Sequence, residues 1–212
     1  MKFCVIGLGR LGFQVSSRLA ENGMEVVAID MKESIVADIR DKVTQAICME
    51  VIDVDSLHSI GIEEIDTAIV ATGKNFAQSI LITALLKKLN VPRVIARAIN
   101  DIHKDILSIL GADRIVLPEK EVGTRLADNL SYPFMDLFRL TENFAISQIP
   151  ASEKFVGKTP AELDFFATFN VNYIGLQENE QTITRDMERR IQENDMLIFS
   201  GENKFLEKIA KM

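Results

Sequence analysis

The sequence predicts an α/β fold, a doubly wound parallel sheet followed by a small α+β module, and three observations predict it. Short β-branched runs alternate with amphipathic stretches of helical length. Those runs are apolar at consecutive positions, so neither sheet face can be wet and helices must cover both. A glycine-rich turn joins the first run to the first helical stretch, where such sheets receive their ligands. In chain order the strands are FCVI, VVAI, QAICM, TAIVA, RVIARA and RIVL, and helical spacing fills residues 10–22, 33–41, 53–60, 75–90 and 101–110 between them. Ile80, Leu81, Ala84, Leu85 and Leu89 carry that spacing most clearly. A further helix begins near Lys120 and stops at Pro133, whose ring cannot continue it. Strand alternation then takes over at 134–140, 144–149, 171–177 and 195–200, with a short helix opening at Thr159 and Pro160 and an amphipathic one from Glu202 to Lys211. The expected domains are residues 1–135 and 136–212. A module as small as the second buries proportionally little surface and is expected to lean on a partner copy.

Composition narrows the function. The 212 residues are 47% hydrophobic and 26% charged, which suits a folded protein and excludes disordered, collagenous or low-complexity architectures. A formal charge of −7 and a pI near 5.0 leave no basic field for a phosphate backbone or an anionic membrane, so nucleic acid is not an expected partner. No apolar run reaches the roughly 18 residues that span a bilayer. The opening MKFCVIGLGR meets glycine before a secretory segment develops, so a cytoplasmic location is expected. Cys4 and Cys48 lie in apolar runs away from any metal spacing, and both are expected as buried, reduced thiols.

The chemistry-bearing motif is G-L-G-R-L-G, formed by Gly7, Leu8, Gly9, Arg10, Leu11 and Gly12 directly after FCVI and before a helix. Asp30 ends the second strand roughly 20 residues on, which completes a dinucleotide fingerprint in its proper context. Gly7 allows the tight turn, Gly9 lets phosphate approach the backbone, and Gly12 lets the helix pack against the strand. The helix N-terminus adds free N–H donors and partial positive charge. Asp30, followed by Met31 and Lys32, is placed to accept hydrogen bonds from ribose hydroxyls, and its charge disfavours the 2′-phosphate of NADP. The expected ligands are adenine nucleotides, ATP/ADP or NAD/NADH. Arg10 could reach phosphates of its own nucleotide or of one in a neighbouring subunit; without an anion, a cation there opposes the helix dipole. Glu50 and Val51, Ala71, Thr72, Gly73 and Lys74, and Arg97 end the other strands at the same carboxyl edge, where adenine and phosphate contacts belong. Glu50 and Lys74 suit ordinary loop positions equally well.

Catalytic groups are scarce. His58 and His103 are the two histidines, and both are expected at surface positions on helices. Tyr132 is followed four residues on by Asp136 and Tyr173 by Gln177, so neither begins a Tyr-x-x-x-Lys couple. No Ser/His/Asp order and no metal-ligand cluster emerges. An NAD-dependent oxidoreductase is the rival reading, and it lacks a proton donor. A redox-sensing transcription factor would need a basic recognition helix, which this acidic chain does not carry.

V-I-G-L-G-R-L-G, V-V-A-I-D and I-G-A-D-R-I-V-L-P-E-K, with the small α+β tail behind them, resemble the Trk/Ktr family of cytoplasmic potassium-uptake regulators, the RCK domains. The resemblance covers essentially the whole chain: residues 1–135 are similar to the Rossmann-like nucleotide-binding TrkA-N part and 136–212 to the TrkA-C part of KtrA-like proteins. Dehydrogenases share the fingerprint but not the L-P-E-K segment. The resemblance implies a non-catalytic gating subunit, peripheral to the inner face of the cell membrane, that acts on a membrane potassium-translocating subunit. It implies a homodimer assembling into a larger ring, a tetramer or octamer. It also implies that Gly7, Gly9, Arg10, Gly12, Asp30, Arg97 and Glu119 matter. Arg10 would reach the terminal phosphate of a nucleotide in the adjacent subunit, and Glu119 would help hold a cation, Mg²⁺ or Ca²⁺, near the phosphates. Read from its own position alone, Glu119 is also a first-turn acid favoured by the helix dipole. One departure concerns A-E-L-D-F-F-A-T-F-N-V-N-Y-I-G-L, where Phe165 and Phe166 stand where a basic residue would assist cyclic di-AMP; that ligand is not expected. The two phenylalanines suit core or dimer contacts, and Asn170 suits a left-handed turn that glycine would otherwise fill.

Overall fold

The computed structural model describes residues 1–73, 75–131, 136–179 and 182–212. Lys74, Tyr132 and Pro133, singled out above, lie outside the described residues. The first half alternates β1 (Lys2–Ile6), α1 (Arg10–Glu21), β2 (Glu25–Asp30), α2 (Glu33–Ile39), β3 (Gln45–Cys48), α3 (Val54–His58), β4 (Thr67–Val70), α4 (Phe76–Lys88), β5 (Arg93–Arg97), α5 (Asp101–Ile109), β6 (Arg114–Val116) and α6 (Pro118–Ser131). Its six strands are all parallel in the order β3-β2-β1-β4-β5-β6. The chain starts mid-sheet, winds outward to β3, then returns to lay β4 on the other side of β1. That reversal opens a crevice at the carboxyl ends of β1 and β4, as the order of such sheets requires.

Alternation along each strand explains the apolar runs. Cys4, Ile6, Val27, Ile29, Ala68, Val70, Val94 and Ala96 pack on one face with Leu57 of α3, Ile82 and Leu86 of α4 and Leu107 of α5. Val5, Val26, Ala28 and Ile69 point the other way, toward Val36 and Ile39 of α2 and partly buried residues of α1. Helix starts are fixed by side chains: Asp53 accepts from Ser56 N at 2.8 Å, Asn75 from Gln78 N at 3.2 Å and Asn100 from His103 N at 2.8 Å. α6 begins at Pro118, two residues before the expected Lys120, because proline suits the first helical turn, where its missing N–H is not needed.

Two compact units divide the chain, Met1–Glu119 and Lys120–Met212. The second carries β7 (Asp136–Arg139), β8 (Phe144–Pro150), α7 (Pro160–Leu163), α8 (Phe165–Phe169), β9 (Asn172–Asn179), β10 (Thr182–Thr184), β11 (Met196–Glu202) and α9 (Asn203–Ala210). Its antiparallel sheet runs β10-β9-β11-β8-β7. Thr159 and Glu162 cap α7 reciprocally, with Oγ1 accepting from Glu162 N at 3.1 Å and Oε2 from Thr159 N at 2.9 Å. Asn170 closes α8 at φ +58°, the left-handed turn expected of it. Phe165 lies in the core among Phe155, Phe169, Tyr173 and Phe199, its ring centroid 4.8 Å from that of Phe199. Phe166 is exposed.

One cysteine departs from expectation. Cys4 is buried on a central strand, where desolvation pushes its thiol pKa up to about 12. Cys48 is exposed, the last residue of β3, which is an edge strand of the sheet. Among the described residues no helix is long and apolar enough to cross a membrane.

The aromatic core sets one expectation. Phe165→Ala removes a ring packed on four others and should cost about 3–5 kcal/mol, whereas Phe166→Ala should change stability by less than about 0.5 kcal/mol. Chemical denaturation of the two variants measures the difference.

Candidate functional site

The site is built from the turn between β1 and α1. A Cβ placed on Gly12 would stand 1.9 Å from the Gly7 carbonyl oxygen and 3.1 Å from Ala71 Cβ, so α1 approaches the sheet only because position 12 has no side chain. Gly7 takes φ +94°, and a Cβ there would meet the Thr72 backbone N and Cγ2, each at 2.9 Å. Gly7 N donates to Ile29 O at 2.8 Å and Ala71 N to Ile6 O at 2.8 Å, which ties the turn to both neighbouring strands. Around Gly9 the space is open: a Cβ there would meet nothing within 4 Å. Gly9 is the N-cap of α1 and no side chain caps the helix, so its first N–H groups face outward at its positive end.

Asp30 holds the second wall. Its Oδ2 accepts from Leu8 N at 2.7 Å and its Oδ1 from Lys32 N at 2.9 Å. One carboxylate thereby joins the glycine turn to the β2–α2 turn, with remaining acceptor capacity for ribose hydroxyls. Met31 and Lys32 beside it are exposed. Leu8 is buried on the α1/α2 side of the sheet, and Leu11 is half-buried. Glu50 is exposed, whereas Val51 is buried in the opposite core with Leu57, so its side chain serves packing.

Charge gathers on the other side of the turn. Arg97, at the end of β5, lies against Gly73 so closely that a Cβ on that glycine would stand 1.8 Å from its Nη1. Its Nη2 donates to Glu119 Oε1 at 2.5 Å. Arg97 Nε and Thr72 Oγ1 are buried and find no hydrogen-bond partner among the described residues. Glu119, on the first turn of α6, is 71% exposed against 21% for Arg97. Its carboxyl is held below its ordinary pKa first by its own backbone N–H and then, against a desolvation cost, by the Arg97 guanidinium, with a contribution from Arg10. The Arg97–Gly73 packing and the Arg97–Glu119 pair escape sequence reading, because they depend on which strands are neighbours in the sheet.

An exposed, ionised carboxylate at Glu119 suits a hard divalent cation. Among the described residues no group of three or more His, Cys, Asp or Glu side chains is placed to hold a metal ion.

The histidines divide. His58 is exposed and paired with Glu63. His103 is fully buried, contrary to the expected surface position, because α5 turns that face onto the core and its ring packs on Phe76 at 4.5 Å. Its Nδ1 accepts from Ile99 N at 3.4 Å, which leaves the proton on a buried Nε2 with no partner among the described residues. Burial lowers its pKa. A side chain so enclosed cannot deliver a proton to a bound substrate.

The TrkA-N domain model matches residues 3–118. Ktr system potassium uptake protein C of Bacillus subtilis (strain 168) is 34% identical over 202 residues, covering 94% of this chain and 91% of its own. Ktr system potassium uptake protein A of the same organism is 32% identical over 205 residues, covering 96% and 92%. Among solved structures the GsuK channel bound to NAD superposes with a TM-score of 0.57 at 23% identity, covering 99% of this chain and 38% of that one. At that identity the likeness is one of fold, and the chain spans about two-fifths of the GsuK chain.

Two outcomes test this geometry. Gly9→Val should fold with a thermal midpoint near that of the parent, since its side chain enters open space, yet lose nucleotide affinity at least about 100-fold by blocking phosphate approach. Calorimetric titration with ATP and NAD reads the loss. His103 favours its neutral form when folded, so its contribution to stability is complete above the unfolded value near pH 6.5 and is lost as pH falls through the lower folded value. Between pH 7 and 5 the parent should lose stability more steeply than His103→Leu, by up to about 1.4 kcal/mol per pH unit, one proton's share. Denaturant titrations at several pH values measure the two slopes.

Proposed function

The chain belongs to the Trk/Ktr family of TrkA-N proteins, and from that premise we propose that it is a cytoplasmic, non-catalytic regulatory subunit of a potassium uptake system. It binds an adenine nucleotide, ATP/ADP or NAD/NADH, at the carboxyl edge of the first sheet and passes the ligand-dependent change to a membrane potassium-translocating subunit. The observation that carries the reading is the open cradle at Gly9, with an uncapped helix start, Asp30 on one side and Arg97 with Glu119 on the other. The relatives named for potassium uptake match over more than nine-tenths of the chain, and the fold is that of a channel solved with NAD bound.

Each group has a physical task. Gly7, Gly9 and Gly12 bring backbone N–H groups up to the phosphates. Asp30 takes the ribose, with Met31, Lys32 and Glu50 around it, and Ala71, Thr72 and Gly73 floor the crevice. Arg10 projects from the start of α1, where a cation is favourable only opposite an anion, and so responds to phosphate charge on its own or an adjacent subunit. Glu119 would hold Mg²⁺ or Ca²⁺ against phosphate oxygens, offsetting the repulsion between carboxylate and phosphate. Regulation needs only that two ligands bind two arrangements with different affinity.

Assembly into a homodimer and a larger ring is supported by α6. Val122, Leu126 and Leu130 recur every fourth residue and are 66%, 58% and 72% exposed, an apolar stripe of the kind that buries against another chain.

A thermal-shift panel with ATP, ADP, NAD, NADH and cyclic di-AMP, each with and without Mg²⁺ or Ca²⁺, tests the reading. A nucleotide at about a hundred times its Kd should add about 2.7 kcal/mol and several degrees. Arg10→Ala should narrow the ATP-over-ADP preference by about tenfold, the share of one charge-assisted hydrogen bond to phosphate. No shift with any nucleotide would overturn the proposal, and steady NADH consumption with a carbonyl substrate would replace it by an oxidoreductase.

A further inference from the structure

We propose that His103 is a positioning residue for the ligand edge: neutral, it holds together the two turns that set Arg97 on Gly73, and protonated it releases them, so that nucleotide affinity falls in acid. The inference rests on the nucleotide-binding reading above and deepens it, by giving that site a dependence on pH.

Position comes first. Arg97 ends β5, and Ile99, two residues on, donates its backbone N–H to His103 Nδ1 at 3.4 Å. Gly73 follows β4, and Phe76, three residues on, opens α4 and packs its ring 4.5 Å from that of His103. Gly73 and Arg97 themselves meet so closely that a Cβ on the glycine would stand 1.8 Å from Nη1. Each partner in that contact is thus joined, within three residues, to one buried imidazole. The β4–β5 ladder ends with Val70 opposite Ala96, and the two turns beyond it share this ring.

A proton acts on that support directly. Neutral His103 accepts at Nδ1, so its single proton sits on Nε2, which is buried with no hydrogen-bond partner among the described residues. A second proton lands on Nδ1, sets N–H against N–H and abolishes the bond from Ile99. The new cation is enclosed, and it stands in the first turn of α5, where the helix dipole opposes positive charge. Asp101, Lys104 and Asp105 on α5 itself are exposed. On the neighbouring elements, Lys87 and Lys88 lie in the last turn of α4 whereas Phe76 is in its first, Arg93, Asp113 and Arg114 are exposed at the starts of β5 and β6, and Arg97 pairs with Glu119. Burial lowers the imidazole pKa, and the charged ring gains by moving toward water, which withdraws it from both Phe76 and Ile99. A nucleotide that uses the edge formed by Gly73 and Arg97 therefore binds the neutral form better, and by linkage its binding opposes protonation.

The test measures nucleotide affinity of the full chain by calorimetry between about pH 7.5 and 5.5, one unit either side of the ordinary histidine value. NAD is the main probe because its pyrophosphate has no proton to lose near neutrality, whereas a terminal phosphate titrates at about pH 6. ATP is run in parallel, its own titration being common to parent and variants. Parent affinity should fall at least about threefold over the range, steepening toward about tenfold per pH unit at its acid end, one proton's share. His103→Gln, whose Oε1 can accept from Ile99 N without taking up a proton, should match the parent within about twofold at pH 7.5 and stay flat. His103→Leu, with no acceptor, should be weaker at every pH and equally flat. In the parent, NMR of the two histidines should show NAD or ATP lowering the pH at which His103 takes up its proton. PH-independent parent affinity for NAD, a fall in His103→Gln as steep as the parent's, or an unmoved His103 titration would overturn the proposal. Failure of the parent to bind any nucleotide at pH 7.5 would instead remove the reading on which it rests.

Discussion

The first sheet and its ligand edge depend on a contact that only an absent side chain permits. With Gly12 bare, the start of α1 comes down onto the Gly7 carbonyl and against Ala71, the residue that follows β4. Any larger residue would lift the helix away from Ala71 and Gly7. The N–H groups would then no longer converge at the place where the strand order reverses. Sheet order and helix approach are thus two halves of one arrangement: the reversal creates the opening, and the close packing furnishes it with donors.

Electrostatics around this opening are layered. Asp30 is engaged on both oxygens by backbone N–H groups of two successive βα turns, which fixes its orientation before any ligand arrives. Arg97 and Glu119, by contrast, are joined through a screened pair at the far end of the sheet. A carboxylate fixed by two backbone N–H groups on one side and a water-screened ion pair on the other are thus held with different rigidity.

Much of this was legible in the sequence, for identifiable reasons. Parallel strands buried on both faces read as continuous apolar runs, and the glycine spacing has a separate steric cause at each position, so the fold and the turn emerged together. The small unit was less legible. β10 is three residues long, and α8 is a five-residue helix enclosed by left-handed Asp164 and Asn170, so neither has room for a periodic signal. Two side chains were misjudged because their surroundings come from distant chain. His103 meets Phe76 across the α4–α5 contact, and Cys48 is the last residue of an edge strand. The pairing of Arg97 with Glu119 required the β5–β6 register, which no local pattern encodes.

The unlike fates of the two cysteines give the molecule a reporter position. Cys4 is sealed in the middle of the sheet, with its thiol pKa raised to about 12, and presents no sulfur to reagents in solution. Cys48 is exposed, its Sγ lies 3.6 Å from the Met31 carbonyl oxygen, and its strand register sets it opposite Asp30. A thiol-directed fluorophore would therefore attach once per native chain, at the wall where the ribose is expected to rest. Its emission would follow occupancy of that wall directly.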